Sequence, residues 1–346
     1  MILGHDWAVD LLLQSLARDR LAHAYLFAGP PGIGKTSLAL YLARALNCTD
    51  PGPRPCGSCA SCRKIGQGLH PDVRVLDESE GEGKTAAGEP SEPASRRKPG
   101  IKISQVRELQ TQAVLSPYEG RRRVYVLCDF QQANVEAANC LLKTLEEPPG
   151  SVVLILTALQ AEGLLPTIVS RCQVLNLRPL PVRQVRDALR SYWGVEEPKA
   201  SLLAGLSGGR IGWAIRASRD ESLLSNREKY LVALEQAARL NLTERISLAQ
   251  QLSRDPSALP EVLDLWREWW RDLLLARSGN PGALINVDRA QAIMADAQRY
   301  TLHAIQSYLR AIERASQQMD QNVSPGLAME VLLLKLPRVS TEVSQV

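Results

Sequence analysis

Residues 29–36 read Gly29-Pro30-Pro31-Gly32-Ile33-Gly34-Lys35-Thr36, and the spacing G-x-x-x-x-G-K-T decides the fold around it. Glycines at these positions let backbone N–H groups turn inward and cradle phosphate oxygens. Lys35 would reach the β- and γ-phosphates, and Thr36 would hold Mg²⁺. Just upstream, Ala24-Tyr25-Leu26-Phe27-Ala28 reads as a buried strand. Just downstream, Ser37 to Leu46 reads as the helix whose N-terminus meets the anion. The stretch predicts binding of a nucleotide such as ATP with Mg²⁺. It does not by itself predict hydrolysis.

Outward from the loop, residues 1–178 alternate strand-like runs with helical patterns. The runs are Ala24–Ala28, Val73–Leu76, Val124–Cys128, Val152–Thr157 and Gln173–Leu177, with helical patterns at Ile103–Leu115 and Val135–Leu145 among others. This alternation implies an α/β domain with a parallel sheet. Asp77 to Gly100 is rich in Gly, Pro, Ser and charge and reads as a mobile surface loop. After Pro179 the strands stop. Short helices are expected at Pro181–Trp193, Lys199–Leu206 and Arg210–Ser218. Longer amphipathic ones are expected at Glu221–Leu240, Glu244–Ser253, Leu259–Ala276, Asp288–Met319 and Gly326–Leu336.

Cys48, Cys56, Cys59 and Cys62 give C-x7-C-x2-C-x2-C. Thiols so closely spaced can chelate one ion, and the Pro/Gly-rich spacer 50–55 lets Cys48 fold back as the fourth ligand. Four sulfurs suit tetrahedral Zn²⁺, and a closed four-thiolate site is structural rather than catalytic. The chemistry also admits an iron–sulfur cluster or reduced, redox-active cysteines. Cys128, Cys140 and Cys172 read as small buried hydrophobes.

The chain has 346 residues, 45% of them hydrophobic, with 41 basic and 37 acidic residues and a net charge of +4. That charge is too mild to announce nucleic-acid binding. No apolar run approaches the roughly 20 residues that span a bilayer, so no membrane role is expected. Residues 1–6 lack the pattern of a secretion signal, and the cytoplasm is the expected compartment.

A nucleotide hydrolase of this plan needs a strand ending in acidic residues. Here Val124-Tyr125-Val126-Leu127 is followed by Cys128-Asp129. Cys128 occupies the position of the metal-associated acid. Asp129 is a water-orienting base, a shifted metal partner or a solvated residue at a strand end. Glu146 and Glu147, near the end of the next helix, read as a structural or interface feature rather than a catalytic pair.

Together, GPPGIGKT, the cysteine cluster, AANCLLKTLEEPP at 137–149, Thr157 and Ser170-Arg171-Cys172 resemble, in this order, the bacterial clamp-loader subunits of the AAA+ class. The resemblance covers about residues 1–215 and continues more loosely through Trp270–Leu274 and 322–334. It implies an AAA+ P-loop domain at 1–178, carrying a zinc module at 48–62 and the loop at 77–100. A small helical lid domain at 179–218 and an all-α collar domain at 219–346 would follow.

Within the family, the chain resembles a stator-type subunit more than the gamma/tau motors. The motors carry Asp-Glu where this chain has Cys128-Asp129. They carry a sensor arginine in a segment that aligns with Gly209-Arg210-Ile211-Gly212-Trp213-Ala214-Ile215, and Gly212 stands at the arginine's place. Arg210 lies two positions earlier, which on a helix turns a side chain by roughly 200°. Ile101–Leu109 and an end near residue 346 also fit the stator type.

The resemblance further implies that Arg171 is an arginine finger acting in trans on ATP bound by a neighbour, where such a group offsets the spreading negative charge of phosphoryl transfer. Without the resemblance, Arg171 is an ordinary surface arginine. Thr157 resembles the first sensor position, although a strand-end hydroxyl capping a turn explains it equally. Implied partners are gamma/tau and delta subunits in a hetero-oligomer and, through it, the sliding clamp and primer-template DNA. The chain's own ATPase would be weak or absent, with no polymerase chemistry. The alternatives are an independent gamma/tau-type or other AAA+ ATPase and a zinc-stabilised DNA-binding module. Arg121-Arg122-Arg123 reads as a solvated turn in preference to a DNA-phosphate contact, Trp266, Trp269 and Trp270 as core or interface packing in preference to a base-stacking platform, and the four histidines as dispersed.

Overall fold

A computed structural model of the chain describes residues 2–77, 100–320 and 323–337. Most of the loop expected at Asp77–Gly100 (78–99) lies outside the described residues, as does Asn322. Contacts divide the chain into two compact units, Met1–Leu180 with Arg210–Trp213, and Pro181–Gly209 with Ala214–Val346.

The first unit is built on five parallel strands: β1 (Ala24–Ala28), β2 (Val73–Leu76), β3 (Arg123–Leu127), β4 (Val152–Ala158) and β5 (Gln173–Asn176). Their order across the sheet is β2-β3-β4-β1-β5. β1 is buried throughout, as a strand covered on both faces must be. Alternation sends its side chains to two cores. Ala24 and Leu26 join one side with Leu109, Leu141 and Leu154. Tyr25 and Phe27 join the other with Leu38, Leu42 and Ile155. Helices α1 (Asp6–Ala17) and α2 (Lys35–Asn47) cover the second side, and α4 (Ile103–Ala113) and α5 (Val135–Glu146) the first. Two short helices, α3 (Ala60–Gly66) and α6 (Pro166–Val169), complete the unit. This is a parallel α/β architecture with a phosphate-binding loop after β1.

β1 is flanked by β4 and β5, with Phe27 opposite Thr157 and Leu175. Chain order reverses around this strand, and in parallel sheets such a point, at the carboxyl ends, is where ligands bind. The loop at 29–36 leaves the sheet there.

The second unit is all-helical among its described residues. Its helices are α7 (Val182–Trp193), α8 (Lys199–Leu206), α9 (Ile211–Arg219, whose first turn belongs to the first unit), α10 (Ser222–Arg239), α11 (Leu242–Leu252), α12 (Leu259–Arg277), α13 (Ala290–Ala297), α14 (Leu302–Asp320) and α15 (Pro325–Leu334). Trp266, Trp269 and Trp270 are buried in its core. Trp266 donates its indole N–H to Tyr230 O at 3.0 Å, so the three indoles are packing, not a stacking platform. Arg245 is also buried and donates to the carbonyls of Ala237, Leu333 and Leu336, closing the ends of α10 and α15.

One expectation is corrected. The single helix read over Asp288–Met319 is a 3₁₀ turn at Val287–Arg289 followed by α13 and α14. The Thr301 hydroxyl accepts the Ala304 N–H at 3.2 Å and starts a new helix, while Tyr300 is turned into the core against Trp270.

Candidate functional site

The phosphate loop is built by backbone conformation. Gly32 and Gly34 take φ values of 74° and 110°, in the left-handed region that glycine adopts without cost. Gly34 is the N-cap of α2, so the uncompensated N–H groups of the first helical turn face the loop. Gly29 donates its N–H to Ala158 O at 3.1 Å, fastening the loop's start to the end of β4. The carbonyl of Ile33 meets the buried His5 Nε2 at 3.0 Å. His5 looked dispersed in the sequence; 28 residues separate the two partners, and no periodicity links them.

Lys35 is buried, and its ammonium donates to Gly29 O at 2.6 Å and Pro30 O at 3.3 Å. A phosphate would have to draw it off these carbonyls. Burial pushes the Lys35 ammonium below the ordinary lysine range, while Asp129 and Cys128 oppose that shift. Thr36 Oγ1 lies 3.8 Å from Cys128 Sγ. Burial pushes the Cys128 thiol up, so a neutral sulfur stands where Mg²⁺ would want an anionic oxygen.

Asp129 follows Cys128 with φ 45°, a rare left-handed non-glycine residue. Its N–H donates to Thr157 Oγ1 at 2.9 Å. The Thr157 hydroxyl is buried and caps this turn, while the Asp129 side chain is exposed. The loop at 29–36, Cys128, Asp129 and Thr157 thus gather at the carboxyl ends of β1, β3 and β4.

Gly212 joins them. Its N–H, a first-turn donor of α9, goes to Gly32 O at 2.7 Å.

Arg171 is placed elsewhere. It follows α6, and its guanidinium donates from Nη1 to Thr167 O at 2.9 Å and from Nη2 to Glu146 Oε1 at 2.8 Å. The side chain stays about a third exposed. The residues 121–123 form a tied-down turn: Asn47 Oδ1 accepts the N–H groups of Arg121 and Arg122, and Arg123 reaches Ser116 O.

The sulfurs of Cys48, Cys56, Cys59 and Cys62 all lie within 4.8 Å of one another. Zn–S bonds of about 2.3 Å in a tetrahedron need sulfurs roughly 3.8 Å apart, so a small closure around an ion completes the site. Backbone N–H groups of Cys59 and Cys62 point at the sulfurs of Cys56 and Cys59 at 3.3 and 3.4 Å. Such donors stabilise thiolates. Hydrogen bonding, chiefly from Thr49, pulls Cys59 down to about 5, and burial pushes Cys62 up to about 12. The donor set fits one soft or borderline cation, with no open ligand position for catalysis.

Comparison with known proteins follows this division of sites. A family described as DNA polymerase III, delta subunit, matches residues 4–181, and one described as DNA polymerase III, delta subunit, C terminal, matches residues 221–337. The chain is 30% identical to the delta-prime subunit of DNA polymerase III from Bacillus subtilis, over 95% of this chain and 94% of that one. It is 35% identical to the delta-prime subunit from Pseudomonas aeruginosa, over 78% of this chain and 77% of that one. Similarity to the tau subunit of Escherichia coli is 34% over 65% of this chain, but spans only 33% of that subunit. No helix among the described residues is long and apolar enough to cross a membrane.

Proposed function

Because the chain belongs to the delta-prime family of DNA polymerase III clamp-loader subunits, we propose that it works in its hetero-oligomer as a stator. It supplies Arg171 to a neighbour's ATP rather than hydrolysing its own. The observation that carries this reading is Gly212. At the position expected for a sensor arginine there is no side chain, and a Cβ built there would stand 2.7 Å from Gly32 O. Cys128 beside Thr36 supports the same reading, since a half-buried neutral thiol is a poor partner for Mg²⁺.

In this reading the loop at 29–36, with Thr157 as a polar lining, holds a nucleotide with Mg²⁺ or simply preserves the inherited fold. Asp129 does not act as a base, because its exposed carboxylate has no acidic companion on the strand. The four cysteines hold a structural Zn²⁺. The helices at 179–218 serve as a lid and those at 219–346 as a collar joining gamma/tau and delta subunits. Through that assembly the chain takes part in loading the sliding clamp onto primer-template DNA.

The test is paired. The isolated chain should turn over no ATP at a motor-like rate. Arg171→Ala should leave the reconstituted complex assembled but slow its clamp-stimulated ATPase. Motor-like turnover by the isolated chain that Lys35→Ala abolishes would favour the gamma/tau-type alternative.

A further inference from the structure

Arg171 and Glu146 come from separate parts of the chain. Glu146 is the last residue of α5, before Glu147-Pro148-Pro149 end the helix, and Arg171 precedes β5. The carboxylate meets Nη2 at 2.8 Å, and Thr167 O takes Nη1 at 2.9 Å. Three of the five guanidinium N–H donors are thus uncommitted among the described residues. The pair is open to solvent, with side chains 35% and 51% exposed. An exposed ion pair contributes little to folding, so stability does not account for it. Glu147, the next residue, is also exposed but makes no ion pair or hydrogen bond with Arg171 among the described residues.

What the pairing does is fix a direction. A free arginine samples many rotamers, and freezing it at the moment of reaction has an entropic cost. Anchored on one side by a carboxylate and a carbonyl, the guanidinium keeps its remaining donors together for an anion arriving from outside. We propose that Glu146 is a positioning residue for Arg171, orienting it toward the phosphate of ATP held by an adjacent subunit. This inference rests on Arg171 being a finger in trans. Glu146 touches no nucleotide in it.

The experiment uses the reconstituted clamp-loader complex with clamp, primed DNA and ATP, measuring kcat and KM for ATP. Glu146→Ala should lose most of the rate that Arg171→Ala removes, with KM unchanged. Glu146→Gln, which keeps an oxygen acceptor, should restore much of it. Glu147→Ala should match the unsubstituted complex. The double variant Glu146→Ala/Arg171→Ala should be no slower than Arg171→Ala alone, because both changes remove one function. If Glu146→Ala does not assemble, the Gln variant and its double with Arg171→Ala carry the comparison. Slow turnover by Arg171→Ala with wild-type turnover by Glu146→Ala overturns the positioning role and leaves the finger standing. An additive double variant also overturns it. Wild-type turnover by Arg171→Ala removes the finger, and this inference with it.

Discussion

Gly212 donates its backbone N–H to Gly32 O at 2.7 Å, and a Cβ on Gly212 would stand equally close to that oxygen. The phosphate loop and the first turn of α9 therefore meet backbone to backbone. Gly212→Ala should destabilise the protein by about 1–3 kcal/mol through overpacking, read as a lower midpoint in urea unfolding. Gly212→Arg should cost at least as much and confer no ATP turnover. Turnover gained by the arginine variant would show that the loop readily yields to a sensor side chain.

Lys35 is already satisfied by the carbonyls of Gly29 and Pro30. In a stator its charge serves no chemical step. Lys35→Ala in this chain should leave the ATPase of the reconstituted complex within about twofold of normal, where each tenfold of rate is 1.36 kcal/mol. A collapse of the rate to the level of Arg171→Ala would make the loop an active site.

The cysteine cluster predicts one zinc per chain, measurable by elemental analysis of protein purified without added metal. Cys59→Ser should lose the metal and lower thermal stability, since structural zinc contributes directly to folding. Iron with visible absorption, or free titration of the four cluster thiols beyond Cys128, Cys140 and Cys172 in the purified protein, would exclude the zinc assignment.

Asp72 gives a pH dependence. The carboxylate is buried and accepts the N–H groups of Tyr118, Glu119 and Gly120 at 2.7, 2.9 and 2.7 Å. Burial alone would raise its pKa; these donors, with Arg123, bring it below the ordinary value. A depressed carboxylate stabilises the fold above its unfolded pKa of about 3.9, and that contribution disappears as pH falls through the lower folded value. Asp72→Asn should cost about 2–3 kcal/mol at neutral pH and flatten the acid limb of the stability curve. An unchanged acid limb would locate the titration elsewhere.

Much of the fold could be read from local pattern. The strand before the loop and the glycine spacing are short-range signals, and β1 and β2 lie where alternation and apolar runs put them. The joint at 298–301 was harder, because Tyr300 continues the apolar stripe of a helix while its backbone leaves it. The contacts of the site were hidden for another reason. His5 with Ile33, Gly212 with Gly32, and Glu146 with Arg171 are pairings across 28, 180 and 25 residues. Which of two adjacent glutamates meets the arginine depends on where the proline-ended helix stops, since Glu146 is its last residue and Glu147 has already left it, and no residue frequency encodes that.

Helix α2 starts in the phosphate loop at Lys35 and is followed at once by Cys48. Its 13 residues make a rod about 20 Å long. The far end is pinned twice, by the cysteine cluster and by Asn47, whose side chain bonds the backbone of Arg121 and Arg122. A strut fixed at both ends cannot absorb slack. Loosening at the cysteines alone would leave Asn47 holding that end, so the cysteine cluster and the phosphate loop, about 20 Å apart along one helix, share a support without sharing a residue.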